Sequence, residues 1–222
     1  NDQDKSKKDV GVSFQRITVS TKYPDGTVGD LILPTEELFS FGVGENTSKE
    51  TGQVTGHTMS LCLWNRDRQS EQYVPTESQF EWTSTYSSIV DHLKKVMIDF
   101  HKKGLLETRS FNKYRYAKDD EDAEENGGFT TVEFKGQLRK FNNLYWGKGK
   151  KSGKMIEEGV YENGPTLYAK LIESKKKGAL KIMTQFYDYN NNPIDPLKQL
   201  MGVYCTTYSA IKIESIFIGN SI

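Results

Sequence analysis

Apolar positions recur at helical spacing over one long stretch of this chain, TSTYSSIVDHLKKVMIDFHKKGLLE. Ile89, Leu93, Val96, Met97 and Phe100 stand at i, i+4, i+7, i+8 and i+11, a single stripe at the 3.6-residue period. Ser and Thr residues ahead of the stripe can cap it. Lys102 and Lys103 suit the negative end of the helix dipole, and Gly104 suits the C′ position. The pattern therefore predicts a helix from about 86 to 103. His92 and His101 fall on it as surface or boundary residues, not as ligands or catalysts.

Elsewhere the period is two. VGVSFQRITVS and KYPDGTVGDLIL flank Tyr23-Pro24-Asp25-Gly26, where Pro fixes φ and Asp-Gly supplies a local hydrogen bond and positive φ. This predicts a hairpin with strands near 11–22 and 27–33. Residues 42–58, GVGENTSKETGQVTGHT, lack apolar periodicity and read as a flexible loop. MSLCLWNRD then alternates, with Leu61 and Leu63 opposed to Cys62 and Trp64. Further strands are expected in FTTVEFKGQL (129–138), PTLYAKLIES (165–174), GALKIMTQFYD (178–188) and SAIKIESIFIG (209–219). In the last, Ile211, Ile213 and Phe217 alternate against Lys212, Glu214 and Ile216. IDPLKQLM can form a turn or two of helix. No internal repeat is visible. The chain reads as mainly β (a β-rich α+β fold): a β-barrel or sandwich with one amphipathic helix plugging an end, and long loops.

Composition agrees with a single core. At 222 residues, 35% hydrophobic, 27% charged and 12% aromatic, the chain is lean but too aromatic to be disordered throughout. No window approaches the roughly 18–20 apolar residues of a membrane span, and NDQDKSKKD has no apolar h-region. The expectation is a soluble, non-secreted protein that engages no membrane. The absence of an initial Met, and an end at GNSI in mid-strand, suggest a trimmed piece. Cys62 and Cys205 form no CxxC, and His57, His92 and His101 do not join them at zinc-ligand spacing, so no metal or other cofactor is expected.

The neutral sum hides segregation. Residues 1–130 carry 16 basic and 22 acidic side chains, and residues 131–222 carry 14 and 8. Asp119, Asp120, Glu121, Asp122, Glu124 and Glu125 repel one another and bury no apolar area, so 119–128 reads as a solvated, disordered loop. A metal-binding carboxylate cluster is the lesser reading of that run.

No GxxxxGKS/T, GxSxG, HExxH or GxGxxG occurs, which moves the expectation from enzyme to binding protein. Two segments interleave cations with aromatic rings. One is FNKYRYAK, with Lys113, Tyr114, Arg115, Tyr116 and Lys118. The other is LRKFNNLYWGKGKKSGK, with Arg139, Lys140, Phe141, Tyr145, Trp146, Lys148, Lys150, Lys151 and Lys154. Single-stranded nucleic acid needs both ingredients: cations displace counterions from phosphates, and flat side chains receive unstacked bases. The plainer reading makes Phe141, Tyr145 and Trp146 core residues and GKGKKSGK a soluble loop. Lys175, Lys176, Lys177 and Lys181 either extend the basic track or form a solvated hairpin tip. Trp64-Asn65-Arg66-Asp67-Arg68 sets a ring beside two guanidiniums, which fits phosphate contact or a buried Trp next to a surface salt bridge. Asn46-Thr47-Ser48 matches a glycosylation sequon, read as chance without a signal peptide.

YPDGTVGDLILPTEELFSFGV, MSLCLWNRD, NNNPIDPLKQLMGVYC and SAIKIESIFIGNSI resemble segments of a family of single-stranded DNA-binding proteins of large nucleocytoplasmic DNA viruses, with members in African swine fever virus and giant viruses. The resemblance spans most of residues 10–222. It implies an OB-like β-barrel that coats single-stranded DNA in viral replication, recombination or repair, in the host-cell cytoplasm at viral factories, in the nucleus or in the virion. On that basis residues 1–9 form a flexible segment and 10–222 a single OB-like domain without enzymatic activity. Viral replication proteins are the expected protein partners, and RNA is compatible with the same contacts. The resemblance carries over no particular DNA-contacting residue. The other class that fits is a virion or replication-complex interaction module without direct nucleic-acid binding.

Overall fold

The computed structural model of the protein describes residues 15–103, 105–106, 138, 144–148, 150, 152–176 and 179–218. These residues are mainly β, with two helices and the single helical residue Leu138 among them, and no closed barrel is found among the described strands. The chain divides into two compact units. The first comprises residues 1–31, 88–141 and 213–222, and the second residues 32–87 and 142–212.

In the first unit β1 (Gln15–Thr18) pairs antiparallel with β15 (Ser215–Ile218), Gln15 opposite Ile218. Arg16 fastens the pair from outside, its Nε donating to Ser215 Oγ at 2.8 Å and its guanidinium meeting Glu214 at 2.8 Å. The expected turn forms: Gly26 N–H bonds to Tyr23 O, and the Asp25 carboxylate accepts from both the N–H and the hydroxyl of Thr27. Only β2 (Thr21–Lys22) and β3 (Val28–Gly29) pair across it. The expected long strands are thus broken into short ones. The core is Met97, Leu138, Ile216 and Ile218, with Ile17, Val19, Leu93, Ile98 and Leu106 packed around it. Met97 comes from the predicted stripe. Of 129–138, expected as a strand, Leu138 is the residue described, and it is helical and buried.

The helix α1 (Glu77–Lys102) starts well before position 86, because Thr76 and Gln79 form a capping box. Gln79 N–H donates to Thr76 Oγ1 at 3.1 Å, and Thr76 N–H donates to Gln79 Oε1 at 3.3 Å. His92 is exposed as expected, whereas His101 is buried.

The second unit is built on a five-stranded antiparallel sheet. Its long members are β5 (Leu38–Thr47) and β6 (Val54–Cys62), which pair from Phe39↔Cys62 to Thr47↔Val54. Residues 42–58 are therefore mostly strand, not loop. Glycine and threonine weaken the apolar alternation there without preventing pairing, and the true loop is 48–53, closed by Ser48 N–H on Gln53 O. β10 (Thr166–Lys170) pairs with β6, β7 (Leu144–Tyr145) with β10, and β13 (Cys205–Thr207) with β5. The inner face carries Val43, Met59, Leu61, Leu144 and Leu167, all buried. A bulge lies between Ser40 and Gly42. Gly42 has φ +83°, and the carbonyl oxygens of Leu200 and Val203 occupy the space a Cβ would need, so only glycine fits.

The remaining strands are ribbons: β4 (Leu31–Pro34) with β14 (Ala210–Ile213), β8 (Met155–Glu157) with β9 (Val160–Tyr161), and β11 (Glu173–Lys176) with β12 (Ala179–Ile182). The expected short helix is α2 (Pro196–Gln199), with Asp195 as its N-cap. The expected last strand is two. The chain breaks at Glu214, and the alternation changes phase there, so that Ile216 is buried and Phe217 exposed, the reverse of the expectation.

Candidate nucleic-acid interface

Trp64 anchors the region around the second basic-aromatic segment. It is buried, its Nε1–H donates to Thr83 Oγ1 at 3.0 Å, and that hydroxyl donates to Gln79 O at 2.8 Å. Gln79 in turn pairs with Asn65, accepting from its N–H at 2.9 Å and donating to its side-chain oxygen at 3.0 Å. The ring of Trp64 meets Tyr161 at 4.6 Å, Trp146 edge-on at 5.3 Å and Phe80 at 6.1 Å between centroids. The buried-Trp reading of Trp64 therefore holds, and Trp146 is half-buried against it.

Asn163 organises the lysine loop. This buried amide donates to Trp146 O at 2.9 Å and Ser152 O at 3.1 Å and accepts from Lys154 N–H at 3.2 Å. Its capacity is nearly filled by backbone that would otherwise lack partners. Lys150 N–H closes a turn on Gly147 O.

Beside this loop lies an open cleft of about 640 Å³. Tyr145, Trp146, Lys148 and Lys150 line one part of it and Arg66 and Tyr73 another. Tyr145 is exposed, with its ring 6.2 Å from that of Tyr168. The Arg66 guanidinium lies 6.0 Å from the Tyr73 ring centre. Tyr73 packs so closely on Gly164 that a Cβ there would strike its ring.

The cations are partly paired. Lys150 and Lys154 both reach Glu162, at 3.3 and 3.4 Å, and Arg66 reaches Glu71 at 3.3 Å. Lys148 is exposed and makes no ion pair among the described residues. The hydrogen bond and charge of Lys150, then Lys154, hold the Glu162 carboxyl below its usual range. Burial pushes the Cys62 thiol up, opposed by a hydrogen bond with Thr166 and the charge of Arg66. No group of three or more His, Cys, Asp or Glu side chains able to hold a metal ion occurs among the described residues. Among the described residues no helix is long and apolar enough to cross a membrane.

The structure thus brings together Tyr145, Trp146, Lys148, Lys150 and Lys154 of the predicted set. Lys113, Tyr114, Arg115, Tyr116, Lys118, Arg139, Lys140, Phe141 and Lys151 lie outside the described residues, as does the acidic run. Tyr73 and Tyr168 escape sequence reasoning. For Tyr168 the signal is its place at a polar phase of TLYAK, with Leu167 and Ala169 facing the other way.

A family model described as "Protein of unknown function (DUF2738)" matches residues 3–222. The chain is also 25% identical over 193 residues to "Uncharacterized protein 007R" of Invertebrate iridescent virus 3. That match covers 86% of this chain and 33% of the relative, so the chain spans about a third of the relative's length. No solved structure matches.

Proposed function

The chain belongs to the DUF2738 family, and we propose that it is a non-enzymatic, sequence-tolerant single-stranded DNA-binding protein acting in viral DNA replication, recombination or repair. The observation that carries this reading is the cleft, in which the exposed ring of Tyr145 stands among Lys148, Lys150 and Arg66. Phosphates are met by the cations, and an unpaired base is received by the ring, a contact worth about 1–3 kcal/mol. The bulged five-stranded sheet serves as the open half of an OB-like barrel, an architecture that tolerates incomplete closure. Likeness to an iridovirus protein supports the viral setting.

The test is fluorescence anisotropy with matched single-stranded DNA, duplex DNA and RNA at two salt concentrations. Single strands are expected to bind tighter than duplex, because a tyrosine ring can stack only on a base already unpaired. Equal affinity for duplex and single strand would remove the stacking role. Salt-insensitive binding would favour a protein-docking module instead.

A further inference from the structure

The outer face of the five-stranded sheet carries a second cluster of rings, drawn from neither basic-aromatic segment of the sequence. Phe39, Phe41 and Tyr204 are all exposed, and each meets the other two edge-on, with centroids 5.2 to 5.9 Å apart. Phe41, the extra residue of the bulge between Ser40 and Gly42, stands on the same face as Phe39 two residues before it, while the chain at 200–203 runs along the edge of β5 and delivers Tyr204. Three rings held against one another in water lose little further conformational freedom when a planar group lands on them.

Strand register joins this cluster to the cleft. Thr206, Phe39, Cys62, Thr166 and Tyr145 are successive cross-strand partners over β13, β5, β6, β10 and β7, and so occupy one row on one face. Thr166 itself lines the cleft. From Phe39 to Tyr145 is three strand spacings, about 14 Å. Between the two aromatic ends lies a lane of small residues, Ser60, Cys62 and Thr166. The paired positions of this face hold Lys170 and no carboxylate; the Glu173 carboxylate, held by His57, reaches the face at its far end beside Gly56 and Lys170, outside the lane between the rings. Arg66 lines the cleft together with Thr166 of this row. A protein partner would not require an acid-free lane between two sets of rings, whereas a polyanion carrying flat bases would.

We propose that single-stranded DNA leaving the cleft at Tyr145 crosses this sheet face, and that Phe39, Phe41 and Tyr204 form a second base-stacking platform at its far side. This rests on the DNA-binding reading of the cleft. The strand passes over Cys62, with phosphates near Arg66 and bases on the rings at either end.

The experiment compares a thymidine dinucleotide, too short to span the distance from Tyr145 to Phe39, with an oligothymidylate of about 16 nucleotides, the upper end of what one OB fold covers, on wild type, Phe41→Leu/Tyr204→Leu and Tyr145→Leu. Leucine keeps apolar bulk and removes the ring, and circular dichroism checks that each variant is folded. The double variant is expected to lose about tenfold or more in affinity for the long oligonucleotide, with the short one, held in the cleft, unaffected. Tyr145→Leu is expected to weaken both. In a Cys205→Ser background, the long oligonucleotide and not the short one should slow maleimide labelling of Cys62. A folded double variant that binds the long oligonucleotide normally, with Cys62 labelled at the same rate, overturns the platform while leaving the cleft reading intact, and assigns the rings to a protein contact. Failure of wild type to bind either length overturns both readings. Matched oligouridylate tests the choice of DNA: tighter binding of RNA to the double platform would overturn it.

Discussion

Glu162 engages two of the lysines that a phosphate would need, Lys150 and Lys154. Glu162→Gln is therefore expected to strengthen single-stranded DNA binding several-fold at neutral pH and low salt, measured by anisotropy. The lysines hold the carboxyl below its usual range, so in the wild type it stays ionised until the solution is acidic. As pH falls through that lowered value, Glu162 protonates, the lysines are released, and the advantage of the variant should disappear. The same sign applies to stability: the ion pairs contribute above the carboxyl's unfolded pKa and are lost as pH falls through the folded one, a small effect at an exposed site. Asn163 has the opposite character, being buried and bonded on both sides of its amide. Asn163→Ala leaves the carbonyls of Trp146 and Ser152 without that donor and should cost about 1–3 kcal/mol in urea unfolding. It should also weaken DNA binding by loosening Lys148 and Lys150.

At the scale of elements, α1 depends on its cap. Thr76→Ala is expected to cost about 1 kcal/mol of stability. Gln79→Ala should cost more, about 2–3 kcal/mol, because the Gln79 side chain also accepts from Asn65 N–H and donates to Asn65 Oδ1. Equal losses in urea unfolding would contradict this account of the network. The cap was written in the sequence as T-x-x-Q at 76–79, but the apolar stripe begins a turn or more later and sets the apparent start. The 42–58 hairpin was less legible, since β5 and β6 pair there through glycine, threonine and histidine, whose place is fixed by register and not by side-chain hydrophobicity. Ile216 and Phe217 were misassigned for a different reason: one irregular residue, Glu214, reverses the phase of everything after it. The lysine loop could be read from composition. Arg66 could be read as a phosphate contact, but its place in the cleft with Tyr73 could not, because both reach it only through tertiary packing.

Across the whole molecule, charge is distributed by segment, and the run from Asp119 to Glu125 supplies the acidic excess of residues 1–130. Deleting 119–125 should leave the fold intact by circular dichroism and preserve or strengthen DNA binding, since six carboxylates oppose a polyanion. Loss of folding would give that run a structural role. The central claim is that an aromatic, cationic surface binds single-stranded DNA through its phosphates and bases together. Its most direct test is the slope of log K against log salt for wild type and for the Lys148→Ala/Lys150→Ala/Lys154→Ala variant on one single-stranded oligonucleotide. The wild type should weaken steeply with salt, and the variant's slope should be shallower by about 2, near 0.7 for each phosphate contact removed. Binding that ignores salt, or a slope unchanged by removing the three lysines, would contradict the claim.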